Sequence, residues 1–306
     1  MIYLFMNNGG MGNQMFQYAV ARKLQEQYNM DIICDLDKYS YKGTNATKRK
    51  YCLDQFLLSE RLHYMHSTYR KALYAAKRSI LEKIFNKLSP DNRFAKMTEA
   101  GMYVPTGYFD YYKESTVRGG TIYVNGLFQA HSYFDEIQPI LKREFKLKRQ
   151  PSKKVSNLVS DMMQKNSVCI HWRRGDYLSS QYADSLLICG EKYYKTAMTY
   201  IEKHVQKPEY YLFTNSLDDA EYIKKHIHFQ YQINYINLML EQESDDLEDF
   251  RLMCSCRHFI ISNSTYSWWA QYLSDNPQKI VCAPSVWNKK MYTGALYQDD
   301  WTILPV

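Results

Sequence analysis

Short apolar, β-rich runs alternate with helical stretches through the second half of the chain. The runs are 168–172 (VCIHW), 209–214 (EYYLFT), 233–237 (INYIN), 258–262 (HFIIS) and 279–283 (KIVCA). Between them, 191–205, 218–227, 246–256 and 265–274 read as helices. Strands covered on both faces read as continuous apolar runs, and strand–helix repetition without hairpin turns builds a parallel sheet flanked by helices. The pattern predicts a doubly wound domain, which binds ligands at the carboxyl ends of its strands.

The first half is less regular. A strand at 2–6 leads into a helical pattern from Asn13, with Phe16, Ala19, Val20 and Leu24 on one face, and a second strand follows at 31–36. Residues 40–120 are rich in Tyr and Lys and show one long helix, 69–88. A strand near 121–128 and a helix near 132–144 close the half. The basic, proline-bearing LKRQPSKK (147–154) reads as a linker. The expectation is an α/β protein of two Rossmann-like domains, 1–150 and 151–306, facing across a cleft of the kind that houses ligands.

Composition narrows the classes. Hydrophobic residues make up 45% of the 306, enough for packed cores and against wholesale disorder. No apolar stretch approaches the length of a membrane span. The opening MIYLFMNNGG lacks a basic leader and a small-residue cleavage site and reads as a first strand, so the expectation is a complete cytoplasmic protein. Seven cysteines without framework spacing fit reduced thiols, and Cys254-Ser255-Cys256 has no second pair to make a zinc site. The net charge of +7 suits an anionic partner, whether nucleotide, nucleic acid or membrane headgroup. The 29 tyrosines suit sugar or base faces, and equally half-buried packing.

Three motifs sit where strands run out. GGMGNQ, Gly9 to Gln14, lies between a strand and a helix, where glycines let the backbone approach a ligand and the helix N-terminus favours a polar oxygen or an anion. Gly10 and Gly12 give G-x-G, but Met15 stands where a dinucleotide fingerprint has its third glycine, and a plain βα turn is the alternative. HWRRGDY, His171 to Tyr177, crowds His171, Arg173, Arg174 and Asp176 onto a strand exit. Paired guanidiniums match a nucleotide diphosphate, while Asp176 can accept a proton or hold an arginine, and a structural Arg–Asp pair is the alternative. ISNSTYSWW brings Asn263, Ser264, Thr265 and Ser267 to a helix start, where they cap amides or hold phosphate. Arg174-Gly175-Asp176 as an adhesion signal and Asn263-Ser264-Thr265 as a glycosylation sequon have no role in a cytoplasmic chain. Asp35-Leu36-Asp37 matches the D-x-D pattern that holds a divalent metal on a sugar nucleotide, a competing metal-dependent reading.

GGMGNQMFQYA, HWRRGDY and NSTYSWW, in this order, resemble the bacterial alpha-1,2-fucosyltransferases of glycosyltransferase family 11, and the resemblance covers essentially the whole chain. Phe259 and Tyr266 depart mildly from it, where a polar residue and Phe are expected. The resemblance implies a GT-B-type fold, GDP-fucose as donor substrate, inversion at the anomeric carbon, no metal or other cofactor, and transfer to the 2-hydroxyl of a terminal β-galactoside. It also implies that Arg173 meets the β-phosphate and His171 the nucleotide. Arg174, Asn263, Ser264, Thr265 and Ser267 then bind the donor, and Gly10, Gly12, Asn13 and Gln14 lie on the fucose and acceptor side. Arg173 and Asp176 are the catalytic candidates, Asp176 as general base.

Two other classes stand beside this one. One is a GDP-fucose enzyme of alpha-1,6 or protein O-linkage. The other is a non-catalytic binder of glycans or nucleic acid, which has no need of phosphate-type donors on one side of a cleft and a Gly-rich turn on the other. The expected partners are thus GDP-fucose and a β-galactoside glycan rather than nucleic acid, with peripheral contact at the inner membrane surface as a further expectation from the basic charge.

Overall fold

The computed structural model describes residues 1–7, 9–40, 50–107, 109–174, 183–186, 189–241 and 245–306. The chain divides into two compact units, Met1–Lys148 with Gly294–Tyr297, and Arg149–Thr293 with Gln298–Val306.

Among the described residues, the N-terminal unit holds strands β1 (Ile2–Phe5), β2 (Ile32–Asp35), β3 (Leu62–Tyr64), β4 (Met102–Tyr103) and β5 (Ile122–Val124). Its helices are α1 (Met11–Tyr28), α2 (Asp37–Ser40), α3 (Thr68–Phe85), α4 (Pro90–Glu99) and α5 (Gln138–Glu144). The strands pair in parallel in the order β3-β2-β1-β5-β4. β1 lies at the centre, with Ile2 opposite both Ile32 and Ile122. α1 begins after Gly10 and ends at Asn29, whose φ of 50° is the left-handed conformation that stops a helix. It is buried nearly all round, so its polar residues are matched from within. Arg22 pairs with Glu144, Lys23 with Glu114, and Gln25 donates to the Arg61 carbonyl.

The C-terminal unit holds β6 (Asn166–His171), β7 (Pro208–Phe213), β8 (Ile233–Tyr235), β9 (His258–Ile260), β10 (Val281–Pro284) and β11 (Thr302–Leu304). Its helices are α6 (Lys153–Gln164), α7 (Ala183–Leu186), α8 (Glu191–His204), α9 (Leu217–His226), α10 (Ile236–Leu240), α11 (Asp246–Ser255) and α12 (Thr265–Leu273). The sheet is parallel in the order β11-β10-β9-β6-β7-β8, the doubly wound dinucleotide-fold order. β6 is central, with Val168 opposite Tyr210 on one side and His258 on the other. Its apolar side chains pack with Trp172, Tyr193, Tyr194 and Ile201, and Trp172 stacks on Tyr194 at 4.0 Å.

Several tyrosines are core residues with tethered hydroxyls. Tyr193 donates to the Ile261 carbonyl at 2.6 Å, and Tyr194 to the His171 carbonyl at 3.0 Å. All seven cysteines are free thiols.

Several expectations shift. The division between the units falls inside 147–154, after Lys148, and the stretch is ordered on both sides of it. Leu147 bridges to Phe56, and α6 starts at Lys153, capped by Ser152. β3, β4, β11 and α4 carry weak signals, because β4 has two residues and β3 is largely exposed at a sheet edge. The strand expected over 233–237 stops at Tyr235, where α10 begins. The helix expected over 132–144 opens as two 3-10 turns and becomes α-helical at Gln138.

Candidate active site

In an open parallel sheet the ligand crevice lies outside the carboxyl ends of the strands, where the strand order reverses. In the C-terminal unit that point falls between β6 and β9. β6 ends in His171, and β9 runs on through Ile261 to Ser262. Parallel pairing sets the two exits side by side, and the Ser262 hydroxyl lies 3.0 Å from His171 Nδ1. Burial and the nearby Arg173 guanidinium push His171 down to about 3, so the imidazole is neutral at physiological pH. The ring is only 2% exposed and lies 5.5 Å from that of Tyr266. Ser262 had no motif of its own in the sequence. Its signal was its place one residue before the NSTYSWW block.

The two arginines of the turn separate. Arg173 is half-buried at the strand exit. Arg174 is turned to its own domain. Its amide donates to Asn215 Oδ1 at 3.0 Å, its Nε to Asp219 Oδ1 at 3.1 Å, and its guanidinium lies 4.0 Å from the Tyr222 ring centre. The structural Arg–Asp pair therefore exists, with Asp219 of α9 as the acid. Asp176 lies outside the described residues.

The NSTYSWW block separates in the same way. The Asn263 amide donates to the carbonyls of Leu186 and Trp287, at 2.9 and 3.1 Å, which commits it to tying loops together. The Ser264 hydroxyl caps α12 by accepting from the Tyr266 amide at 3.3 Å. Ser267 is buried and donates to the Ser264 carbonyl. Thr265, half-buried, opens α12. A helix start beside a strand-order reversal is an anion-favouring position. Behind it, Asn237 accepts from the Thr214 amide and hydroxyl and donates to Asp249 of α11 at 3.0 Å, fixing the β7 exit.

The N-terminal unit repeats the logic. Its strand order reverses between β1 and β5. There Asn7, just past β1, donates to Asn125, just past β5, at 2.9 Å. Asn13 accepts from Gln129 at 2.9 Å. Gln14 is fully buried, donating to the Gly9 and Lys50 carbonyls and accepting from the Cys52 amide. The glycines differ. A Cβ on Gly9 would lie 2.8 Å from Asn13 Cβ, whereas one on Gly10 would meet nothing within 4 Å. Gly10 therefore opens onto free space at the start of α1, and Gly12 is buried within the helix. Asn7, Asn125 and Gln129 carried no sequence signal, because each acts through a partner distant along the chain.

The D-x-D carboxylates face cations of the protein itself. Lys71 Nζ lies 2.5 Å from Asp37 Oδ2 and 3.4 Å from Asp35 Oδ1, and His66 lies 3.6 and 3.8 Å from the same two residues. The Lys71 hydrogen bond holds the Asp37 carboxyl below its usual range. Among the described residues, no group of three or more His, Cys, Asp or Glu side chains is arranged to hold a metal.

The model of glycosyl transferase family 11 matches residues 1–305. The chain belongs to this family. The O-antigen biosynthesis glycosyltransferase WbnK of Escherichia coli is 28% identical, over 96% of this chain and 97% of the relative. An alpha-1,2-colitosyltransferase of Escherichia coli is 25% identical, over 91% and 90%. The crystal structure of the alpha-1,6-fucosyltransferase NodZ with GDP, a Bradyrhizobium protein, overlays 92% of this chain and 93% of its own, with a TM-score of 0.49 at 13% identity. The family 11 protein is thus a glycosyltransferase built from two parallel-sheet α/β units. Among its described residues, no helix is long and apolar enough to cross a membrane.

Proposed function

We propose that this family 11 glycosyltransferase moves fucose from GDP-fucose to the 2-hydroxyl of a terminal β-galactoside, with inversion and without a metal. The observation that carries the reading is the convergence of Arg173, neutral His171 and the start of α12 on the strand-order reversal of the C-terminal unit. As the bond between fucose and phosphate breaks, negative charge grows on the departing GDP. A guanidinium fixed by a core strand stabilises that charge more in the transition state than in the ground state. The α12 amides add dipolar stabilisation, and no proton moves in either interaction. His171, neutral and nearly enclosed, cannot repel or compete with Arg173 and serves to hold the turn. Inversion by single displacement needs the acceptor hydroxyl behind the anomeric carbon. Gly10, which leaves space at the start of α1, suits close approach of the sugars. The acceptor hydroxyl gives up its proton as the new bond forms, and Asp176 is the candidate base that takes it.

The test is turnover of GDP-fucose with lactose in EDTA, followed by linkage analysis of the product. An alpha-1,2-linked fucoside supports the reading. Activity that requires added metal would assign charge stabilisation to a divalent cation held by Asp35 and Asp37. An alpha-1,6 or protein-linked product would keep the donor and refute the acceptor. The second reading, favoured by the colitosyltransferase relative, is a colitose donor on the same site. Competing the two donors against each other at equal concentration decides between them.

A further inference from the structure

α3 has two apolar faces, and the fold uses one. Tyr74, Leu81 and Phe85 pack on the cluster of Tyr3, Ile33, Met102 and Tyr123. Tyr69, Leu73, Ile80 and Ile84 form a second stripe, about 120° round the helix at 100° per residue. They are 68%, 38%, 59% and 62% exposed, and no residue of this 18-residue helix is buried. An exposed stripe of this kind marks an interaction surface.

The charge around the stripe selects the occupant. Residues 68–87 carry six basic residues against one acid, Glu82. Lys71 pairs with Asp35 and Asp37 and Arg78 with Glu82, on the side away from the stripe, which leaves Arg70, Lys77, Lys83 and Lys87 beside it. Arg70 and Lys77 flank the stripe on one side, with Arg70 4.8 Å from the Tyr3 ring centre and Lys77 6.0 Å from that of Tyr123. Lys83 flanks the other side and Lys87 extends the stripe, and neither enters an ion pair among the described residues. Two copies of α3 laid face to face would oppose these like charges, whereas an anionic surface complements them. An apolar stripe between basic flanks, on a helix that cannot span a bilayer, is the pattern of a helix lying in a membrane interface.

We infer that α3 docks the protein on an anionic lipid surface, with Tyr69, Leu73, Ile80 and Ile84 entering the headgroup boundary and Lys83 and Lys87 meeting lipid phosphates. This is independent of the donor and acceptor proposed above.

The test is flotation of the full chain with vesicles of phosphatidylcholine alone and with phosphatidylglycerol added. The parent floats with the anionic vesicles only, and less as salt rises. Lys83→Glu with Lys87→Glu changes the charge by four and weakens partition roughly 10³-fold, at about 1 kcal/mol per charge, which abolishes flotation. Ile80→Ser with Ile84→Ser also abolishes flotation, and thermal melting reads whether the fold survives these exposed changes. Equal flotation with neutral vesicles, or variants that melt and float like the parent, would overturn the inference. So would a parent that sediments as a dimer without binding vesicles, and an Ile80→Ser, Ile84→Ser variant that sediments as a monomer, because a second copy would then be the occupant.

Discussion

Arg173 and Arg174 are neighbours in one turn, and the structure predicts opposite consequences for losing them. Arg174→Ala removes an ion pair to Asp219 between side chains that are 21% and 15% exposed, together with the stack on Tyr222. A partly buried pair lies between the small value of exposed pairs and the larger cost of breaking buried ones, about 1–2 kcal/mol here. The ring contact adds about 0.5–1 kcal/mol. A loss of about 2 kcal/mol should lower the melting temperature of a domain of this size by about 4–8 °C. Asp219→Asn should reproduce most of that loss, and the double variant should add little. Arg173→Ala should leave stability within about 1 kcal/mol yet reduce the transfer rate about 10²–10³-fold. The assay pairs calorimetric melting of each variant with initial rates on GDP-fucose and lactose in EDTA. If Arg174→Ala melts like the parent but loses as much rate as Arg173→Ala, the Asp219 pair is incidental and the division of labour argued here is wrong.

The buried histidines predict an acid limb of stability. His171 is held down to about 3, chiefly by burial, and His258 to about 4 for the same reason, its Nδ1 accepting from the Ile280 amide. Between about pH 6.5 and these values the unfolded chain binds protons that the native one does not, so stability falls as pH falls through that window. Denaturant titrations at pH 7 and pH 5 should show a smaller difference for His171→Gln than for the parent, and an unchanged difference would remove His171 from the account. Asn263→Asp replaces the Nδ2 that donates to both the Leu186 and Trp287 carbonyls with a carboxylate oxygen and should cost about 3 kcal/mol in urea denaturation, whereas a donor-binding side chain would show itself in GDP affinity without that loss. Gly10→Ala should melt like the parent and slow transfer at least about tenfold if sugars approach that turn, whereas Gly9→Ala meets Asn13 and should destabilise. A Gly10→Ala enzyme with full activity would move the acceptor elsewhere.

The amino-acid sequence alone determined the central strands and the helices between them, because apolar runs and helical periodicity are local signals that survive any tertiary arrangement. It also located GGMGNQ, HWRRGDY and NSTYSWW at strand exits, since each follows an apolar run directly. It missed β3, β4 and β11, which are short or lie at sheet edges and have little apolar pattern to read, and it read the start of α6 as linker because the first turn of that helix is basic. Within the motifs it gave every polar residue the same standing. Only the tertiary structure separated them, because the role of a polar side chain depends on partners far along the chain. Asp219 takes Arg174, two carbonyls take Asn263, and Ser262 meets His171 across 91 residues because β9 pairs with β6. α3 shows the same limit. Its length and both apolar stripes are legible in the sequence, but which stripe faces the sheet was decided by packing against Tyr3 and Tyr123, which left the other to solvent.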